Sequence, residues 1–173
     1  MNRVFLSLGS NINKEHNLPA AVQLLRDRVL VRAVSSVYET EPRGTLDQPT
    51  FFNAAVLIET DLGLVAIKER LIDEVEGELS RQRQADKNAP RTIDIDIALF
   101  NDEIMAYVPA DGRSRRVPDP DILTFIHVAA PLAELAPDQI HPQTGERLDT
   151  IAARLEAAAE GQPIWVREDI SLL

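Results

Sequence analysis

Asp94 and Asp96 stand two residues apart in a segment that alternates apolar and polar side chains. On an extended strand such residues point to the same face, about 6.8 Å apart at ~3.4 Å per residue. Aspartate is disfavoured in strands, and like charges on one face repel, so something must offset the arrangement. A pair of Mg²⁺ ions would do so, because carboxylate oxygens are ordinary ligands for that ion and paired metals lie about 3.5–4 Å apart. The other reading puts both acids on the wet face of an antiparallel sheet. Taken alone, the pair does not choose between the two.

The neighbouring cations weigh toward the first. Arg91 directly precedes the strand, and Pro90 restricts the chain leading into it. A guanidinium grips phosphate bidentately. Arg81, Arg83 and Lys87 lie just upstream, so four basic residues fall within eleven positions; Arg113, Arg115 and Arg116 form a second cluster. Basic clusters are also found as plain solvated loops. Set beside a metal-binding acid pair, however, these describe a site for a nucleotide polyphosphate. A metal-only hydrolase has no need of three arginines.

These residues need a scaffold. Val4 to Leu8 reads as a strand ending at the turn Gly9-Ser10-Asn11. Asn17 before Leu18-Pro19, with Leu18, Ala21, Val22 and Leu25 at helical spacing, predicts a helix capped at Asn17 and running to about Arg28. Val31 to Glu39 predicts one strand and Phe51 to Glu59 another, joined by a Pro- and Gly-containing loop over 41–49. Leu64, Ile67, Leu71, Val75 and Leu79 mark one face of a second helix. Ile93, Ile95, Ile97 and Leu99 alternate with Thr92, Asp94, Asp96 and Ala98, the clearest strand pattern in the chain. Residues 109–120 read as a polar loop, Val128 to Leu135 and Leu148 to Leu155 as short helices, and the tail from about 161 carries no signal. The order β-α-β-β-α-β is that of the ferredoxin-like split βαβ arrangement. The expected class is therefore α+β: an antiparallel sheet with helices on one face, the other face free for ligands, and short C-terminal helices added.

Composition bounds the rest. A length of 173 residues, 45% hydrophobic and 27% charged, fits a single globular domain over 1–173. There are no cysteines, which excludes disulfides and thiolate metal sites. The net charge of −10 opposes general nucleic-acid binding and leaves the basic islands to a compact anion. The apolar run at the N-terminus is too short for a signal peptide, and no stretch approaches a membrane span, so a soluble cytoplasmic protein is the expectation. A monomer or homodimer is equally compatible with the sequence.

The segment Lys87-Asn88-Ala89-Pro90-Arg91-Thr92-Ile93-Asp94-Ile95-Asp96-Ile97 resembles the signature of the 6-hydroxymethyl-7,8-dihydropterin pyrophosphokinases. Further stretches resemble the same family in the same order: Leu8-Gly9-Ser10-Asn11, then Val34 to Thr40 with Pro42 and Gly44, then Asp47-Gln48-Pro49, Phe52-Asn53-Ala54-Ala55-Val56, and Pro131 to Asp138. The resemblance implies transfer of an intact pyrophosphoryl group from ATP to the 6-hydroxymethyl oxygen of a reduced pterin, leaving AMP. It implies two Mg²⁺ held by Asp94 and Asp96, with Arg81, Arg83 and Arg91 as catalytic phosphate-binding cations. It places Ile97 with them on the ATP, where Arg116 is added for its nearness in the sequence, and Thr40, Arg43, Phe51, Asn53 and His127 on the pterin. Glu76 matches a family carboxylate near the end of the second helix; an ordinary exposed helix acid is the alternative.

The sequence also departs from the family pattern. Asp119 stands where a histidine is common, Phe125 where an arginine is, His127 where an aromatic covers the second pterin face, and Asn88 where a tryptophan is frequent. Arg115 and Arg116 are candidates to replace the missing charge. Two alternatives remain at this point: a two-metal phosphohydrolase on the same sheet, in which Thr40, Phe51 and Asn53 have no role, and a non-catalytic nucleotide- or pterin-binding paralogue, motivated by Asp119 and Phe125. His16 and His141 read as loop residues.

Overall fold

The computed structural model describes residues 1–44, 47–86, 88–159 and 163–172. Lys87, Thr45 and Leu46, and the start of the tail at Gly161, lie outside the described residues.

Strand β1 (Asn2–Ser10) is the centre of the sheet. It pairs antiparallel with β4 (Phe51–Thr60) on one side and with β5 (Asp94–Phe100) on the other. Beyond β4 lie β2 (Leu30–Val34) and β3 (Tyr38–Thr40), and beyond β3 lies β8 (Ile164–Val166). With β2 and β3 taken as one interrupted strand, this is the split βαβ order expected from the sequence.

The even side chains of β1 and β4 and the isoleucines of β5 face α1 (Lys14–Arg26) and the second helical stretch. That stretch begins as α2 (Leu64–Ile67), widens to a π-helical turn (Lys68–Ile72) and ends as α3 (Asp73–Glu78). The extra residue in the turn lets Leu71, Ile72 and Val75 all reach the core. The opposite face is not wholly open. Phe5, Ala55 and Leu99 pack against α4 (Ile126–Leu135), which in turn packs on α5 (Leu148–Ala158). A register shift between Phe5 and Leu6 turns both Ala98 and Leu99 toward these C-terminal helices. What stays uncovered on this face is the Ser10 end of β1 and its neighbours.

Several boundaries differ from the sequence reading for local reasons. Helix α1 starts a turn before Asn17, after Asn13 in a left-handed conformation; Asn17 lies inside the first turn and its amide donates back to the Ile12 carbonyl at 2.6 Å. The strand expected over 31–39 breaks at Ser35. Its hydroxyl accepts from the Ala55 N–H at 2.9 Å, and the next N–H, of Ser36, turns to Glu134 at 2.9 Å. The loop expected over 109–120 contains β7 (Arg115–Val117), paired with β6 (Met105–Tyr107). Pro120–Leu123 forms a 3₁₀ turn that leads into α4.

Candidate active site

Directly opposed residues on adjacent strands point to one face, so the sheet register fixes which side chains meet. Gly9 on β1 is opposite Asp94 on β5 and opposite Asn53 on β4; Asn53 in turn is opposite Tyr38 on β3. Asp96 is opposite Ser7. The acids and the amide therefore share the uncovered part of one face, with a glycine between them.

Loops clamp the two ends of this row together. The Asn11 amide donates to Gln48 Oε1 at 2.9 Å and to the Pro49 carbonyl at 3.2 Å, while its oxygen accepts from the Arg91 N–H at 2.8 Å. Ser10 Oγ donates to the Thr92 carbonyl at 2.5 Å. This is the structural use of the Gly-Ser-Asn turn: it ties the loop after β3 to the loop before β5.

Three cavities line up along the row. The first, about 220 Å³, is lined by Thr40, Arg43, Phe51, Asn53, Asn88, Arg91, Phe125 and His127, among others. The second, about 430 Å³, is lined by Arg81, Arg83, Arg91, Asp94, Asp96, Arg113 and Arg115 together with smaller polar groups. The third, about 370 Å³, lies between Asp96, Ile97, Tyr107, Arg116 and Asp119. Arg91 borders the first two, and Asp96, Ser114 and Arg115 border the last two.

In the first cavity the Asn53 amide donates to the Tyr38 carbonyl at 3.1 Å and to Thr40 Oγ1 at 2.9 Å. Phe51 lies on the Arg91 side, 5.8 Å from that guanidinium. The His127 and Phe125 rings stack at 5.4 Å, and the Arg43 guanidinium lies 4.2 Å from the Phe125 centroid. Burial holds the His127 imidazole down at about 4, with the Arg43 charge adding to the shift, so the ring is neutral at pH 7. Phe125, at the position where the family has an arginine, thus carries an arginine on its face.

The middle cavity is a field of alternating charge. Arg91 Nη1 donates to Asp94 Oδ2 at 2.6 Å, and Arg81 Nη2 lies 3.6 Å from Asp94 Oδ1. The Nε of Arg81 is buried with no hydrogen-bond partner among the described residues. Arg83 donates to Glu76 Oε2 at 2.8 Å. Glu76 is not an exposed helix acid. It is 3% exposed and accepts from the Ile95 N–H at 2.9 Å, so it fixes β5 from behind; burial raises its pKa, partly offset by that N–H.

Asp96 is reached by solvent through the cleft mouth, yet the surrounding walls desolvate its carboxyl and push it above the usual carboxylate range. Asp94, Asp119 and Glu76 push in the same direction. Such an excess of negative charge beside hard oxygen donors suits a divalent cation. Mg²⁺ is commonly held by one or two carboxylates plus substrate phosphates, so the donor pair of Asp94 and Asp96 fits. The described residues contain no cluster of three or more potential metal-ligating side chains.

In the third cavity Ile97 is part of the lining, although its side chain belongs to the helical core. The Asp119 carboxylate accepts from the Asp121 N–H at 2.9 Å, and burial pushes it up to about 6. Arg116 is exposed beside it. Arg115 is held by Asp111 through two bonds of 2.9 and 2.6 Å, so much of its charge is already neutralised. Tyr107 was not singled out in the sequence; it sits in a three-residue strand with no alternation to mark it.

Residues 5–137 match the family described as 7,8-dihydro-6-hydroxymethylpterin-pyrophosphokinase. The chain is 37% identical over 167 residues to the 2-amino-4-hydroxy-6-hydroxymethyldihydropteridine pyrophosphokinase of Bacillus subtilis, covering 95% of this chain and 90% of that one. It is 33% identical over 147 residues to the folic acid synthesis protein fol1 of Pneumocystis carinii, covering 82% of this chain but only 18% of that longer protein. Among solved structures it is similar to wild-type Plasmodium falciparum HPPK-DHPS, with a TM-score of 0.74 at 14% identity. That alignment covers 92% of this chain and 42% of the solved one, and the likeness carries the fold alone.

Proposed function

The chain belongs to the 7,8-dihydro-6-hydroxymethylpterin-pyrophosphokinase family and transfers the pyrophosphoryl group of ATP to hydroxymethyldihydropterin in folate biosynthesis; we propose that the row of three cavities is where it does so. The observation that carries this reading is the shared lining. A cavity lined by an amide and aromatic rings meets a cavity lined by arginines and two acids at Arg91, and that cavity meets a third at Asp96. The order matches pterin, polyphosphate and nucleoside.

In the first cavity the Asn53 amide, whose N–H groups are held by Tyr38 and Thr40, accepts through its Oδ1 from an N–H of the pterin edge, and the pterin ring lies between Phe51 and His127. Thr40 and Arg43 border the same edge. In the second, Arg81 and Arg91 neutralise phosphate oxygens, and Arg83 leaves Glu76 to close over the nucleotide. Ile97 and Arg116 border the nucleoside end. Asp94 and Asp96 would hold two Mg²⁺, which when bound would supply charge neutralisation for the triphosphate and a lower pKa for the attacking hydroxyl. The hydroxymethyl oxygen gives up its proton to solvent and forms a bond to the β-phosphorus as the bond from that phosphorus to the α-phosphate oxygen breaks, and AMP leaves with the electron pair. The protein's part is positioning and electrostatics, as is general for such transfers.

The phosphohydrolase and the non-catalytic paralogue are not favoured: neither uses both the aromatic cavity and the acid pair. The test is incubation with ATP, Mg²⁺ and 6-hydroxymethyl-7,8-dihydropterin while nucleotide products are followed. AMP formed only when pterin is present is the expected result. ADP and phosphate without pterin, or binding without turnover, would overturn it.

A further inference from the structure

The tail from Ile164 lies beyond residues 5–137, which the family model matches, yet it is built into the sheet beside the first cavity. Strand β3 is only three residues long, and β8 covers its outer edge: Thr40 is opposite Ile164 and Tyr38 opposite Val166. The next residue, Arg167, donates its backbone N–H to the Val37 carbonyl at 2.8 Å. Its Nη1 donates to Glu39 Oε2 at 2.6 Å. The other oxygen of Glu39 accepts from Lys14 Nζ at 2.9 Å and from the Thr50 hydroxyl. Lys14 and Arg167 both lie over the Phe52 ring, at 4.4 and 5.0 Å from its centroid. Asp169 holds the remaining edge of the Arg167 guanidinium, at 2.8 and 2.7 Å.

Glu39 is the middle residue of β3. Its two neighbours, Tyr38 and Thr40, supply the two acceptors that orient the Asn53 amide, on the opposite face of the sheet. A displacement of β3 therefore moves both acceptors at once. We propose that Arg167 is a positioning residue for pterin recognition: through Glu39 it fixes β3 from beneath, and β3 fixes the rotamer of Asn53. The inference rests on the assignment of Asn53 to the pterin.

The test is steady-state kinetics on the full chain. Loss of a hydrogen bond to a charged group amounts to roughly a tenfold effect. Arg167→Met, which keeps the stem and loses the charge, raises KM for the pterin about tenfold and leaves KM for ATP within about twofold. Arg167→Lys gives a smaller rise of the same selectivity. Glu39→Gln raises the pterin KM similarly, and the double variant adds little to either, since the two act through one contact. A melting curve on each variant separates positioning from unfolding. An unchanged pterin KM, or equal rises in both KM values, overturns the proposal. Asn53→Ala distinguishes the two levels: if it leaves the pterin KM unchanged, the assignment of Asn53 has failed, whereas a raised KM there with no effect at Arg167 sinks the present inference alone.

Discussion

Asp94 and Asn53 are both cross-strand partners of Gly9, one on each side of β1. Two strand spacings, about 9.6 Å, separate their backbones. Between them the face is bare, because Gly9 has no side chain. An added Cβ would meet Asn53 Oδ1 at 3.6 Å, an ordinary contact, so the backbone itself does not demand glycine here. The demand comes from what must lie between the amide and the acids. Gly9→Val is therefore expected to fold, with a melting temperature close to the parent's, while turnover falls at least about tenfold. A folded valine variant with parental kinetics would show that nothing passes over Gly9.

Asp96→Asn separates stability from function. In the metal-free protein the carboxylate is desolvated and faces Asp94, Asp119 and Glu76, and its pKa is raised. A raised carboxylate pKa means that the charged form weakens the fold, with stability falling as pH rises above the unfolded value. The neutral amide removes that penalty. The variant should melt at a higher temperature than the parent at pH 7 without Mg²⁺, yet lose turnover and bind Mg²⁺-ATP weakly. A lower melting temperature would contradict the electrostatic account of this cleft.

Much of this site was legible in the sequence because strand periodicity and register carry it. Asp94 and Asp96 had to share a face, and the structure puts Asn53 on that face through Gly9. The order of the four core strands followed from the same patterns. What could not be read came from contacts distant in sequence. Glu76 looks like any acid near a helix end until β5 presents the Ile95 N–H to it. Strands β6, β7 and β8 are three residues each, too short for alternation to register, and each exists only because a partner strand is present. Arg43 on Phe125 is a pairing across 82 positions that no local pattern encodes.

His127 illustrates a substitution that the environment makes tolerable. Burial keeps its ring neutral, with a pKa of about 4 against the ordinary 6.5. Unfolded chains bind the proton more readily, so this contribution to stability is complete above about pH 6.5 and is lost as pH falls through about 4. Neutral imidazole stacks as an apolar ring, and the pterin KM should not follow His127 titration between pH 6 and 8. His127→Phe should keep the pterin KM within about twofold and flatten the loss of stability between pH 6.5 and 4; His127→Ala should raise that KM by about an order of magnitude. Kinetics paired with urea unfolding at several pH values would check both, and a KM that rises in the phenylalanine variant would remove the ring from the pterin cavity.

Glu39 shifts in the same direction as His127, but to keep a charge rather than to avoid one, and it gives a sharper test of the network beneath β3. Burial alone would raise its pKa, but hydrogen bonds from Thr50, Lys14 and Arg167 outweigh that and hold it down at about 2, from 4.5. The folded protein therefore releases this proton more readily than the unfolded chain. The contribution is present above about pH 4.5 and disappears as pH falls through about 2. Discounted for the 17% of the side chain that solvent reaches, it amounts to roughly 2–3 kcal/mol at neutral pH. Glu39→Gln should show that deficit in urea unfolding at pH 7. The gap should close as the parent is acidified, because a protonated Glu39 and a glutamine are nearly the same shape and charge. A deficit that stays constant from pH 7 to pH 2 would mean that the variant suffers from lost packing, and that the ion pairs with Lys14 and Arg167 are not what holds β3 in place.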